Sequence, residues 1–324
     1  MNLNQGLSAL TLGAFLGLVP AGAVMADFPD RPVTLIVGAS AGGTTDTLAR
    51  VLAQGLGDRF DQPFIVDNRP GAGGNIAAQA VTGAPADGHN LLVAFTSHTL
   101  NASLFESLPH DPIADFSPVA LLAQGSSILV SRGNLPFSDL EAMLEHSRTE
   151  PDGVTFAVGG LGSSLHMETL KFINETGVDG EVIPFPGTAP AVTDLLGGHV
   201  DFMFAPFAQA LPLIESGDVN AIAVTTPERF SGLPDRQTVA EVVSGYPITY
   251  SWFGVLARAG TDPQIVETLN AAILEVMQGE DAQRLLSNEG ATGNSYSPEE
   301  FAAFLQADLE GWQAIAEAAN IERQ

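Results

Sequence analysis

Short apolar runs alternate with amphipathic stretches along most of this 324-residue chain, and this alternation limits the fold more than any other feature. Such a pattern is typical of strands and crossover helices in mostly parallel α/β sheets. The predicted strands cover Val33–Val37, Phe64–Val66, Leu91–Phe95, Val119–Ala123, Ile128–Val130, Val154–Val158, Glu181–Ile183, Phe202–Phe204, Ala221–Val224 and Thr249–Val255. The predicted helices cover Thr45–Leu56, Ile76–Val81, Leu140–His146, Leu165–Glu175, Ala189–Leu196 and Phe207–Glu215, with three more helices and at most one strand from Asp262 onward.

About ten strands are more than one open sheet of this length usually carries, so we expect two sheets and therefore two lobes. No low-complexity linker separates them, and extended segments near Gln124–Ser127 and Tyr250–Phe253 are predicted to run from one sheet to the other. The crossings divide the chain into a discontinuous first lobe, residues 27–126 with 251–324, and a second lobe, residues 127–250. A ligand would bind in the cleft between the lobes.

The net charge is −26, from 38 acidic and 12 basic residues, which argues against binding to nucleic acid or to anionic lipid surfaces. Salt screens the repulsion between so many carboxylates, so the composition fits a salt-tolerant source, although an ordinary acidic secreted protein would look similar. The absence of cysteine excludes disulfides, thiolate metal sites and cysteine nucleophiles. The six histidines show no metal-binding spacing, so no metal or cofactor is expected.

The N-terminus is typical of an export signal. Residues 6–19 form an apolar run too short for a comfortable membrane span, and small residues follow, including Ala23 and Ala26. We expect a signal peptide over residues 1–26, cleaved after Ala26 or alternatively after Ala23, and an exported mature chain. No Lys or Arg precedes the apolar run, which departs from the usual pattern and leaves an uncleaved anchor as the alternative.

The segment Gly38–Asp46 is a run of small residues that joins the first strand to a helix. Small residues let the backbone approach a ligand, and a helix N-terminus offers unpaired N–H groups, so this loop is suited to holding an anion. Gly38, Ser40 and Gly42 also match the G-x-S-x-G turn of serine hydrolases. Against that alternative, the sequence shows no upstream oxyanion loop, no HGGG-like segment and no histidine marked as a base.

A second glycine-rich segment, Asn68–Asn75, follows the second strand. It matches a dinucleotide-binding fingerprint only in part, because Ile76 stands where the third glycine belongs. A phosphate-binding P-loop is also absent, since the only lysine, Lys171, lies elsewhere. A plain glycine-rich turn and a ligand-facing loop therefore explain the segment equally well.

Three more loops follow predicted strands and open helices with hydroxyl groups and free backbone N–H groups: Thr96–Thr99, Gly159–His166 and Pro186–Pro190. One such loop would be an ordinary helix cap, but several around one cleft indicate an anion site. Hydrogen bonds to a charged acceptor contribute roughly 1.5–3 kcal/mol each. The repulsion from the whole protein is screened beyond about 10 Å. Local donors can therefore outweigh the negative net charge within the cleft.

Many strings of this sequence resemble the Bug-type solute-binding receptors of tripartite tricarboxylate transporters. They are Arg31–Val37, Gly42–Asp46, Val66–Ile76, Ala86–Gly88, Asp115–Val119, Ala189–Asp201, Ala223–Thr225, Leu233–Asp235, Ser251–Gly254 and Pro298–Phe301, and they span essentially the whole mature chain. The resemblance implies a type II-like, two-lobed α/β periplasmic-binding-protein fold that closes on a small carboxylate without catalysis. It also implies delivery of that carboxylate to two membrane subunits, and a monomer is the default for such a diffusing receptor.

The resemblance implies ligand-binding residues in these loops and at the end of the Phe202–Phe204 strand. They are Ser40, Ala41, Gly42, Gly43, Thr44, Asp46, Thr96, Ser97, His98, Gly160, Gly162, Ser163, Ser164, His166, Gly187, Thr188, Ala189, Ala205 and Pro206. Many members place an Asp near Ala205–Phe207 that could meet an ammonium group. Its absence here favours a di- or tricarboxylate or an aromatic carboxylate. A receptor domain that senses carboxylates for a signalling partner is the weaker alternative.

Overall fold

The computed structural model describes residues 28–324 except 138, 151–152, 161–162, 247–249, 319–320, 322 and 324. The expected signal peptide, residues 1–26, and the predicted site residue Gly162 lie outside the described residues. Within the described ranges, no helix is both long and apolar enough to cross a membrane.

The elements alternate along the chain as the sequence predicts. The strands are β1 (Val33–Val37), β2 (Phe64–Asn68), β3 (Asn90–Phe95), β4 (Phe116–Gly125), β5 (Ser127–Arg132), β6 (Val154–Val158), β7 (Gly180–Pro184), β8 (Phe202–Pro206), β9 (Val219–Val224), β10 (Ser251–Arg258) and β11 (Ala291–Gly293). The α-helices are α1 (Thr44–Phe60), α2 (Asn75–Thr82), α3 (Ser97–Leu104), α4 (Leu140–Thr149), α5 (Ser164–Thr176), α6 (Thr188–Leu196), α7 (Phe207–Ser216), α8 (Val239–Val242), α9 (Pro263–Met277), α10 (Glu280–Asn288) and α11 (Pro298–Ala318). A short 3₁₀ helix covers Ala72–Gly74.

These strands form two open sheets. The first sheet has the order β11-β4-β10-β3-β1-β2 and the second has the order β7-β6-β8-β5-β9. In each sheet most strands run in one direction, and the strand that arrives from the other sheet, β10 or β5, is antiparallel to its neighbours. The predicted α/β fold with two helix-flanked sheets is confirmed. Both sheets are mixed: three of the five strand pairings in the first sheet and two of the four in the second are antiparallel.

The chain passes from the first sheet to the second between Gly125 and Ser127, and it returns to the first sheet at Ser251. Both positions agree with the crossing segments expected from the sequence. We call the elements around the first sheet the first half and those around the second sheet the second half. The residue boundaries given above for the two lobes stay a prediction.

The buried faces follow the apolar pattern of the sequence. Val33, Leu35 and Val37 of β1 pack against Leu48 and Leu52 of α1, and all five side chains are fully buried. A cluster of phenylalanines fills the core on one face of the second sheet. The central strands are buried on both faces, which is why they read as short continuous apolar runs.

Helix α3 was not predicted, because the sequence pattern indicates only a hydroxyl-rich loop at Thr96–Thr99. Its sequence has no apolar stripe, yet most of the helix is buried, and its polar side chains find partners in neighbouring elements. Asn101 Nδ2, for example, donates to Gly73 O at 3.0 Å and to Asn75 Oδ1 at 2.9 Å. Tertiary hydrogen bonds therefore hold a helix that local patterning alone does not specify.

Asp308 of α11 carries a partly buried carboxyl group in the first half. Its Oδ2 accepts hydrogen bonds from Thr99 Oγ1 at 2.5 Å and from Trp252 Nε1 at 2.8 Å. Burial raises the pKa of Asp308 to about 6, against the lowering effect of these hydrogen bonds. The folded protein therefore binds this proton more tightly than the unfolded chain does, and the resulting stability is lost as the pH rises from about 4 to above 6.

Replacing Asp308 with asparagine should remove this dependence, because the amide oxygen can still accept both hydrogen bonds but cannot ionise. The shift from 3.8 to about 6 corresponds to about 3 kcal/mol, so the variant should gain up to that amount over the wild type between pH 4 and pH 8. Urea unfolding across this range measures the difference. Asp58→Asn, an exposed change on α1, controls for the general effect of removing one negative charge. A difference in unfolding free energy between Asp308→Asn and the wild type that stays constant with pH would contradict the raised pKa of Asp308.

Candidate functional site

A cavity of about 180 Å³ lies between the two halves, where the chain crosses from one sheet to the other. At about 30 Å³ per water it has room for about six water molecules, or one small ligand. Both halves and both crossing segments line it, through Thr44, Gly125, Ser126, Ser127, Ser164, Leu165, Glu168, Pro206, Tyr250, Ser251, Phe253, Glu289, Ala291 and Trp312. We call this space the interlobe cavity.

Two helices begin at the interlobe cavity, one from each half. Thr44 is the first residue of α1 and Ser164 is the first residue of α5. Gly43 before α1 and Ser163 before α5 are extended, and the Ser163 hydroxyl accepts a hydrogen bond from His166 N–H at 3.2 Å. The first-turn N–H groups and helix dipoles of both helices therefore favour an anion between them. This arrangement requires no cationic side chain, and none of the described residues lining the cavity is Lys or Arg.

Two acidic side chains also line the interlobe cavity: Glu168 from α5 and Glu289, which follows α10. Glu168 Oε2 accepts a hydrogen bond from Ser127 Oγ at 2.8 Å. Burial raises the pKa of Glu168, although Lys171 and nearby hydroxyl groups partly offset it. Burial likewise raises the pKa of Glu289, against a hydrogen bond with Thr44.

Comparison with known proteins identifies the family of this chain. Residues 48–321 match the model of the tripartite tricarboxylate transporter family receptors. The chain belongs to this family. It is 35% identical to BugT of Bordetella pertussis over 321 residues, which covers 97% of this chain and 97% of BugT. The family is one of substrate-binding receptors rather than enzymes.

Two solved structures with bound carboxylates resemble this receptor. R. palustris Rpa4515 with adipate is 34% identical with a TM-score of 0.79, covering 92% of this chain and 100% of that one. MatC from Rhodopseudomonas palustris with bound malate is 33% identical with a TM-score of 0.73, covering 89% and 99%. Both similarities extend over both halves of the fold.

Of the site residues predicted for this receptor, the structure brings Thr44, Ser164 and Pro206 to the interlobe cavity. Gly42, Gly43, Ser40 and Ala41 lie exposed in the loop before α1. Ser163 caps α5, and Gly160 lies in the preceding turn with a positive φ of 121°. The remaining members of the predicted set do not line the cavity: Asp46, Thr96, Ser97, His98, His166, Gly187, Thr188, Ala189 and Ala205.

Asp46 braces the loop before α1. Its Oδ2 accepts hydrogen bonds from Gly42 N–H at 2.8 Å and Arg50 Nε at 3.0 Å, and its side chain is buried. The hydrogen bond from Arg50 holds the pKa of Asp46 below its usual value, and that from Gly42 acts in the same direction. Asp46 therefore shapes the loop that presents Thr44 instead of facing the cavity.

His98 belongs to the core of the first half. Its Nε2 lies 2.8 Å from Pro112 O, and its ring packs edge-on against Phe116 and Trp252. Burial lowers the pKa of His98 to about 4, so the imidazole is neutral at pH 7. The expectation that this side chain faces the cleft is corrected: α3 turns it inward.

Other predicted residues serve the fold in similar ways. Thr96 Oγ1 accepts a hydrogen bond from Trp252 N–H at 2.9 Å, which joins α3 to β10. Ala205 is buried within β8, and burial lowers the pKa of His166. Thr188, the first residue of α6, packs against Gly159, which follows β6. A Cβ atom at Gly159 would lie 2.7 Å from the Cα atom of Thr188. Pro206, the residue after Ala205 at the end of β8, does line the interlobe cavity.

The two glycine-rich loops of the first half pack against each other. A Cβ atom at Gly38 would lie 2.9 Å from Gly74 Cα, so backbone meets backbone at this point. Asn68 Nδ2 donates to Ala39 O at 3.1 Å and ties the loops together. The glycines of the Asn68–Asn75 segment therefore allow close packing of the two loops, as expected for a plain glycine-rich turn. In the described chain, neither a histidine nor a carboxylate hydrogen-bonds the exposed Ser40 hydroxyl, so no hydrolase geometry is assembled there.

Sequence reasoning missed Glu168 and Glu289, as well as the hydroxyl groups at the crossings. A usable signal existed for Glu168: it follows Ser164 by four residues, so both lie on one face of α5. The crossing segments were predicted, but not that Ser127, Tyr250 and Ser251 line the cavity there. The described residues contain no cluster of three or more acidic or histidine side chains able to hold a metal.

Proposed function

We propose that this receptor is exported, acts as a monomer in the periplasm, and captures a small carboxylate in the interlobe cavity for a tripartite tricarboxylate transporter. The observation that carries the proposal is the meeting of two helix N-termini, at Thr44 and Ser164, from opposite halves at one small cavity. Each N-terminus favours an anion. Because one N-terminus belongs to each half, an anion bound by both would hold the two halves together.

The size of the cavity favours a compact ligand. About 180 Å³ suits a dicarboxylate of a few carbons better than a large aromatic acid. The relatives solved with adipate and with malate hold ligands of this class. We therefore place dicarboxylates first, with tricarboxylates and aromatic carboxylates as the other classes to compare. The family name, that of a transporter receptor, supports delivery of the bound carboxylate to the two membrane subunits.

The test is thermal unfolding of the mature chain in high salt with adipate, malate, succinate, citrate, benzoate and amino acids. A ligand at a hundred times its dissociation constant stabilises by about 2.7 kcal/mol, which for a chain of this size shifts Tm by about 5 °C. We expect the shift with dicarboxylates. A shift given by amino acids but by none of the other compounds would contradict the preference for dicarboxylates. If no compound shifts Tm, mass spectrometry of the denatured protein shows whether a carboxylate is already bound.

A further inference from the structure

Glu168 has one oxygen that the protein does not satisfy. The residue is 7% exposed and lines the interlobe cavity. Its Oε2 accepts the hydrogen bond from Ser127 Oγ, whereas Oε1 is buried without a hydrogen-bond partner in the described chain. Leaving a buried polar atom unpaired is costly, so nearly all such atoms in folded proteins have partners. The missing partner of Oε1 would come from a molecule in the cavity.

The surroundings of Glu168 decide what that partner can be. Lys171, on the next turn of α5, is the cation that acts on Glu168, and its ammonium lies over the Tyr246 ring at 4.5 Å. Glu175 acts on the same Lys171 and Tyr246, and Glu289 lines the cavity from the other half. An ionised Glu168 would therefore meet an incoming dicarboxylate as a like charge.

We propose that Glu168 carries a proton on Oε1 at neutral pH and donates it in a hydrogen bond to a carboxylate of the ligand. The inference rests on the proposed function and names a specificity-determining residue within it. The geometry is consistent, because the hydroxyl of Ser127 donates to Oε2 and leaves Oε1 to donate outward. The pKa of Glu168 is raised by burial, which acts in the same direction. The carboxyl group thus replaces a cationic side chain as the partner of one end of the ligand.

Binding should then weaken as the pH rises. Above the pKa of Glu168 the donor is lost, and linkage to one proton lowers affinity by up to about tenfold per pH unit. Glu168→Gln keeps an N–H donor at this position and cannot ionise, so its affinity should be independent of pH. A ligand with an ammonium group would instead need an ionised Glu168. Its binding should then be lost in Glu168→Gln.

The first experiment needs no ligand. Carbon-13 NMR of the side-chain carboxyl carbons in glutamate-labelled protein is compared between the wild type and Glu168→Gln, and the resonance missing from the variant is that of Glu168. We expect this resonance to be in the protonated position at pH 7. A Glu168 resonance in the ionised position at pH 7 would overturn the inference even if the receptor binds dicarboxylates as proposed.

The second experiment measures adipate and malate affinity by calorimetry between about pH 5.5 and pH 8.5. The wild type should lose at least about tenfold, whereas Glu168→Gln should stay within about threefold of its value at the lowest pH. Glu181→Gln, an exposed change on β7, should follow the wild type. Wild-type affinity that does not fall with pH, together with loss of binding in Glu168→Gln, would overturn the inference.

Two further outcomes are separable. If Glu168→Gln does not fold, as circular dichroism would show, the wild-type pH profile alone decides, and a flat profile overturns the inference. If neither acid binds the wild type, the proposed function fails for this ligand class, and the carboxyl resonance at pH 7 still decides whether Glu168 is protonated.

Discussion

Replacing Ser164 with aspartate is expected to weaken dicarboxylate binding about a thousandfold while leaving the fold as stable as before. A carboxylate fixed at about 4 Å from the bound anion costs about 4 kcal/mol at an effective dielectric of about 20, which is a factor of about a thousand in affinity. At the start of a helix, however, an acidic side chain interacts favourably with the helix dipole. Binding and stability should therefore change independently.

The control for this variant is Gln264→Asp, which adds the same charge in the first turn of α9, at an exposed position outside the interlobe cavity. Its thermal unfolding should match that of Ser164→Asp, and its adipate affinity should match that of the wild type. Calorimetry with both variants at one salt concentration makes the comparison. Unchanged adipate affinity in Ser164→Asp would show that the N-terminus of α5 does not hold the anion.

The sequence predicts this part of the site because the requirements are local. A strand followed by small and hydroxyl residues and then an amphipathic helix predicts where a helix N-terminus will lie, and Thr44 and Ser164 were found in this way. Each helix starts at the carboxyl end of a strand, so the sequence also predicts which edge of its own sheet each N-terminus faces. The alternation of strands and helices therefore predicts these two N-termini, whereas the packing of the two sheets brings them to one cavity.

The parts that depend on three-dimensional packing could not be predicted. Thr96 and Ser97 begin α3 in the same way that Ser163 and Ser164 begin α5, yet α3 is buried against β10 and α11 and does not line the cavity. Glu168 looks like an ordinary surface residue of an amphipathic helix until the second sheet places Ser127 next to it. Which polar side chain enters a cavity is set by how two elements pack, and local patterns do not encode this.

The two halves touch beside the cavity at a position that only glycine can occupy. Gly290, from the first half, has a φ of 58°, and a Cβ atom built there would lie 2.2 Å from Cγ of Phe207 in the second half. Phe207 is fully buried, so its ring has little room to retreat. The neighbouring residues Glu289 and Pro206 both line the interlobe cavity. We therefore expect the contact between Gly290 and Phe207 to form when the halves close around the cavity.

Gly290→Ala should hinder this closure and weaken adipate binding by about fivefold to 150-fold. Overpacking typically costs about 1–3 kcal/mol, and here that cost falls on the closed arrangement, which lowers apparent affinity in proportion to its population. Gly260→Ala is the matched control, because Gly260 also has a positive φ, of 85°, but a Cβ atom there meets nothing within 4 Å. Calorimetry measures the affinities, and small-angle X-ray scattering should show that adipate compacts the control but not Gly290→Ala. Equal affinities and equal compaction in the two variants would show that the halves close without bringing Gly290 against Phe207.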